Sequence, residues 1–396
     1  MRFVFLLFSV LSFSYQCFSQ TFSYKDYANY TDKLFLNTPN AYLRAAKRAI
    51  ANNNYDFALI SLNKAAELGL FNIQLIKNDK TLQKFNDHKA FGEVLQKIEK
   101  NRNLLKDTTK IRISTSDIDL FWQTYEDSYL KSTGEGWMNN YIMKGTVGLR
   151  TYFDIRIGSE TNLLNKINNY KIFYSSIKAE TGKVKKYIPE IRRSLVGLKE
   201  IYDDAFFPPV YIVIGNFISG GTTDGGAGLL IGIEFEAKID SSKLMELNSW
   251  ERSVMKPMSE VPAIIIHELI HDQQKYEDQS NSLLAQSITE GVCDFITFLL
   301  YGKCSNEQIR EYGDTHEKEL WLQFKGQMSG NDISKWLYNS NSSKDRPADL
   351  GYYMGMKIAE SYYYKAGNKK QAIKDMLKIK DFKKFLADNK YEENFK

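Results

Sequence analysis

The sequence predicts an α+β protein, mostly helical, with a short mixed β-sheet set beside the helices. Apolar residues recur at three- and four-residue spacing over most of the chain, β-branched runs are confined to two short stretches near its middle, and Pro is scarce, 7 of 396 residues. A hydrophobic share of 43% is enough to fill a core, and the length suits two or more domains. The 53 basic and 48 acidic residues, net +5, are interspersed without a basic stripe, which argues against nucleic acid as a partner.

Residues 1–20 place Arg2 before an apolar run from Phe3 to Leu11, followed by small and polar residues. This is the pattern of an export signal, and the run falls far short of the ~20 residues of a membrane span. Cleavage is expected near Ser19 or Gln20, giving an exported protein, periplasmic or extracellular, with no stable span. Lipid attachment at Cys17 is disfavoured because Tyr15 and Gln16 stand where such sites take small residues. Cys293 and Cys304 then remain, too few for a disulfide framework, and spacing does not say whether they pair.

Residues 21–105 are expected to form a helical, repeat-like region. Ala45, Ala49, Ala58, Leu62, Ala65 and Ala66 line faces that pack closely, and the Asn52-Asn53-Asn54 break makes one helical hairpin. The hairpin resembles a single tetratricopeptide-type unit, and residues 71–98 resemble its terminating helices. The polar stretch Lys106 to Ser114 marks the boundary, and residues 106–396 are expected to form the second domain.

From Asp117 to about Tyr202 the periodicity is helical again. Val210–Ile214 and Leu229–Phe235 are the two convincing strands. The Gly-rich stretch between them lacks the Lys-Ser/Thr ending of a phosphate-binding loop, and a flexible flap over a cleft is expected there.

His267, Glu268 and His271 form H-E-x-x-H within an apolar segment. On a helix, positions i and i+4 share a face, so both imidazoles reach one Zn²⁺, and Glu268 can hydrogen-bond a metal-bound water. Glu290 follows His271 after eighteen residues, on a second apolar helix, where it supplies a third ligand and leaves a fourth position open.

HExxH-x18-E resembles the gluzincin pattern of aminopeptidase-N-like and thermolysin-like enzymes. The resemblance implies a zincin-like catalytic domain that hydrolyses peptide bonds of a peptide or protein substrate, with Glu268 as general base. It implies that Asp294, one turn after Glu290, accepts the outer N–H of His267. It implies an oxyanion donor about as far beyond Glu290 as Tyr352, with Tyr353 and His316 as rivals, while Arg346 is a candidate for a substrate carboxylate. Gly232-Ile233-Glu234 resembles part of an aminopeptidase element, which implies Glu234 as a substrate anchor. Acids Asp272, Glu277 and Asp278 are expected to be solvated.

Residues 117–380 also look similar to predicted zinc-dependent proteases exported by bacteria, including relatives of gliding-motility envelope lipoproteins. The segments that carry this are VYIVIGNFISGGT, HELIH, TEGVCDF and DRPADLGYYMG. The rival to the peptidase is a non-catalytic envelope-assembly or peptide-binding protein that keeps a zinc site, with the helical hairpin as its interaction surface.

Overall fold

The computed structural model describes residues 33–86, 88–127, 136–305, 307–339 and 346–395, so the export signal and Cys17 lie outside the described residues. The first helices are α1 (Pro39–Ala51), α2 (Tyr55–Glu67) and α3 (Lys89–Leu104). Thr38 caps α1 through Ala41 N–H with Pro39 in the first turn, and Asn54 caps α2 through Phe57 N–H. Asn53 takes a left-handed φ of 58° in the turn between them, a conformation Asn tolerates. The alanine faces close on each other, and with Leu62, Phe91, Val94 and Ile98 they form a hydrophobic cluster separate from that of the rest of the chain.

Four strands follow the order β1-β2-β4-β3: β1 (Ile113–Ser114), β2 (Val210–Val213), β3 (Gly221–Asp224) and β4 (Gly228–Gly232). β1, β2 and β4 run parallel, while β3 is the antiparallel edge. β2 and β4 coincide with the β-branched runs and are buried throughout, as central parallel strands are. The predicted strand Leu229–Phe235 is shorter than expected, because after Gly232 the chain tightens into a 3-10 turn over Ile233–Glu236.

The Gly-rich stretch is not a flexible flap. Tyr141, Tyr174 and Tyr152 donate their hydroxyls to the carbonyls of Ile214, Gly215 and Ser219 at 2.6, 2.9 and 2.6 Å. Its second half is β3. Phe217 is held at a φ of 55° with its ring stacked on Phe235 at 4.2 Å, a strained backbone that the surrounding contacts over-determine.

The N-terminal helices rest on the turn between β3 and β4 and on Asp154 and Phe206. Asn72 N–H donates to Gly225 O at 3.2 Å, Asn40 donates to Asp224, Arg44 pairs with Asp154, and the Arg102 guanidinium sits 4.1 Å over the Phe206 ring.

The site lies on three later helices, α4 (Val261–His271), α5 (Leu283–Tyr301) and α6 (Leu350–Lys365), with α4 against β3 and β4. α5 and α6 cross backbone to backbone: a Cβ on Gly291 would fall 2.0 Å from the Gly355 carbonyl carbon, and one on Gly355 would fall 1.7 Å from Ser287 O. α5 is the one described helix long and apolar enough to cross a membrane, but two-thirds of it is buried among its neighbours, as in a core helix.

Candidate metal centre

α4 is almost wholly apolar apart from its motif residues, so burial against the sheet fixes its rotation, and the i, i+4 spacing then turns both imidazoles toward α5. Glu290 projects from α5 to meet them. His267 Nε2 lies 3.2 Å from His271 Nε2, and Glu290 Oε2 lies 3.3 Å and 3.2 Å from the two nitrogens. Three ligands of a tetrahedral metal at ~2.0–2.1 Å stand about 3.3 Å apart, so the atoms are spaced as one face of such a site.

The outer nitrogens define the tautomers. His267 Nδ1 lies 2.9 Å from Asp294 Oδ1, which also receives Ser305 N–H and hydroxyl. His271 Nδ1 lies 2.9 Å from Gln274 Oε1, and the Gln274 amide is oriented by donating Nε2 to Thr289 O at 2.8 Å. Both acceptors call for a proton on Nδ1, so both Nε2 atoms present lone pairs inward. Tyr338 donates to Glu290 Oε1 at 2.9 Å and leaves Oε2 for the centre. With both rings neutral, three lone-pair atoms converge as a donor set that fits a cation, and in the absence of an ion a proton on Nε2 takes its place.

Electrostatics agree. Burial alone would lower the His267 imidazole, but Asp294, Glu290 and Glu268 more than reverse this and raise it to about 10. Burial would raise Glu290, yet hydrogen bonds from both histidines hold its carboxyl far below the usual range. The site attracts positive charge from every side.

Cys293 also approaches His271, but its Sγ lies 3.3 Å from Nδ1, on the side of the ring away from Nε2, and burial pushes the thiol up to about 12. A neutral thiol there supports Gln274, which donates to Sγ at 3.2 Å, rather than adding a ligand. Cys293 and Cys304 form no disulfide with each other.

Glu268 points from α4 toward the edge strand, where a Cβ on Gly221 would lie 3.6 Å from its carboxylate. Asp272, expected to be solvated, is half-buried, and burial together with the nearby Glu268 charge raises it to about 7. Tyr352 is brought to the site: its ring stacks over His267 with centroids 6.1 Å apart and meets Tyr338 edge-on.

Other candidates stand elsewhere. Tyr353 is buried and donates to Asp314. His316 stacks on Tyr312 at 4.1 Å. Arg346 covers Trp336 and donates to Gln323 and Lys335 O. Glu234 is wholly buried beneath the 214–219 loop, with its two oxygens accepting from Gly215 and Phe217 N–H, so its carboxylate is turned away from any substrate. Gln274 and Tyr338 went unrecognised in the sequence. Gln274 stands one turn beyond His271 and is visible as a short-range partner, whereas Tyr338 is one of 25 tyrosines and carries no local signal.

Across residues 99–393 the chain matches the model of a family described as gliding motility protein GldB. No curated protein and no solved structure matches it. The expectation of a gluzincin-type metallopeptidase cleaving a peptide or protein substrate is therefore overturned, since the family that spans most of the chain is one of gliding motility. HExxH-x18-E is a spacing of metal ligands, and ligand spacing carries neither a reaction nor a substrate. The terms hydrolase and protease fall with that reading, while Glu268 and Tyr352 remain residues of the site. An export signal suits this lipoprotein family of the cell envelope, and the chain belongs to the gliding motility protein GldB family.

Proposed function

We propose that the chain is an exported, non-catalytic component of a gliding apparatus in the cell envelope, in which Zn²⁺ held by His267, His271 and Glu290 serves assembly. Family membership supports the setting. The convergence of two Nε2 lone pairs and Glu290 Oε2 at 3.2–3.3 Å supports the metal, and it is the observation that carries the reading. The ligands keep a zincin-like disposition on a helix pair, and the ion would tie α4 to α5 and, through the glycine crossing, to α6. In that role zinc contributes folding free energy directly.

The lipoprotein label of the family favours Cys17 as a lipid anchor over simple release of the signal, which reverses the expectation drawn from Tyr15 and Gln16. Metabolic labelling with a palmitate analogue, compared between wild type and Cys17→Ser, tests that part.

Metal analysis and thermal unfolding of the purified protein test the main reading. Wild type should carry about one zinc per chain and lose stability on chelation, and Glu290→Ala should carry none. A folded wild-type protein that takes up no zinc, or one whose unfolding is indifferent to chelation, would contradict it.

A further inference from the structure

We propose that the face formed by Ile172, Met245 and Trp250 rests on the surface of a lipid bilayer, with Lys171, Lys243 and Arg252 set against anionic headgroups. The three apolar side chains are 55%, 73% and 38% exposed. They come from the short helix Lys171–Ser176, the 3-10 turn Ser241–Leu244 with Met245 at its end, and the short helix Ser249–Val254.

These segments are tied together from within. Phe173 N–H donates to Glu246 at 2.9 Å. Glu251 closes a capping box with Asn248 and also receives Lys166 and Tyr170, each at 2.8 Å. Glu246 and Glu251 are thereby engaged internally, while the exposed Asp240 caps Ser242 and its charge bears on Lys243, so the outward side is apolar with three cations, Lys171, Lys243 and Arg252, against Asp240. Lys171 and Lys243 make no ion pair among the described residues.

An exposed Trp and two aliphatic side chains ringed by cations is the chemistry of a membrane interface. The indole sits at headgroup depth, the aliphatic groups enter the acyl boundary, and Lys and Arg meet anionic lipid. The face stands on its own geometry, and its test omits any anchor at Cys17.

The chain carries five Trp, and Trp122, Trp137, Trp321 and Trp336 are all buried. A blue shift of intrinsic fluorescence on binding therefore reports on Trp250. The exported form beginning at Thr21 is mixed with vesicles of phosphatidylcholine alone or with about one-third phosphatidylglycerol. It should sediment with the mixed vesicles, shift its emission to the blue, and release as salt rises.

Lys171→Glu with Lys243→Glu should weaken binding by about tenfold or more, and Trp250→Phe should abolish the shift while most binding remains. Unchanged thermal unfolding of these surface variants shows that they are folded. Failure to bind either vesicle overturns the proposal, as does binding that the charge reversals leave intact or that leaves Trp250 emission unmoved. Loss of function in cells without any vesicle binding would assign the face to a protein partner and overturn it equally.

Discussion

His267 Nε2 and His271 Nε2 face each other at 3.2 Å, while Asp294 and Gln274 hold the ring protons on the opposite nitrogens. Without a cation between them a proton has to separate the two nitrogens, and Glu290 Oε2 completes the set from a second helix. The partners of the outer nitrogens thus belong to the candidate metal site.

Removing either partner should weaken metal binding without removing a ligand. Asp294→Ala frees the His267 ring and removes the Oδ1 that Ser305 donates to, and a loss of roughly 10- to 100-fold in zinc affinity is expected. Gln274→Ala should act in the same direction on His271. Competition titration with a chelating dye measures both, and unchanged affinity in both variants would refute the assigned tautomers.

The glycine crossing should be intolerant of a single methyl group. In Gly291→Ala the new Cβ would sit 2.0 Å from the Gly355 carbonyl carbon and 2.1 Å from Met356 N, so the helix backbones must part. A loss of about 2–3 kcal/mol is expected, which corresponds to a fall of roughly 3–4 °C in Tm for a chain of this size. Calorimetry checks it. Gly302, which has open space around it, should be insensitive to bulk but not to its left-handed φ of 81°.

Much of this was legible in the sequence, and the reason is periodicity. The i, i+4 spacing of His267 and His271, the carboxylate Glu290 on the next apolar helix, and Asp294 one turn further all express helical geometry, which local sequence encodes. The buried strands β2 and β4 announced themselves as β-branched runs for the same reason. β1 did not, because two residues hold no pattern, and β3 was hidden among glycines whose pinning comes from tyrosines on distant segments.

Glu234 shows the limit most clearly: a short motif suggested a cleft residue, whereas the tertiary fold uses its carboxylate to hold a loop. The family assignment shows another, since ligand spacing could not separate a peptidase from a motility protein.

Glu234 should also leave a mark on the pH dependence of stability. Burial pushes its carboxyl up to about 7 against the backbone N–H bonds that oppose the shift, so the folded protein holds a proton that the unfolded chain releases near 4.5. The contribution is fully present below about 4.5 and is lost as pH rises through about 7, by an upper figure of about 3 kcal/mol. Glu234→Gln should flatten stability between these values while costing about 1–2 kcal/mol overall, because the amide can offer only one acceptor to Gly215 and Phe217 N–H. Denaturant unfolding at pH 4.5, 6 and 7.5 would reveal the difference. An identical pH slope in the variant would rule Glu234 out as its source.

The central claim is that the zinc centre serves assembly and not hydrolysis, and Glu268 separates the two, because a ligand set needs no general base. The most direct measurement is gliding of cells in which Glu268→Gln replaces the native chain, scored at matched protein level and with zinc content verified. Gliding equal to wild type is predicted, alongside its loss in Glu290→Ala. Loss of gliding in a folded, zinc-loaded Glu268→Gln protein would contradict the account.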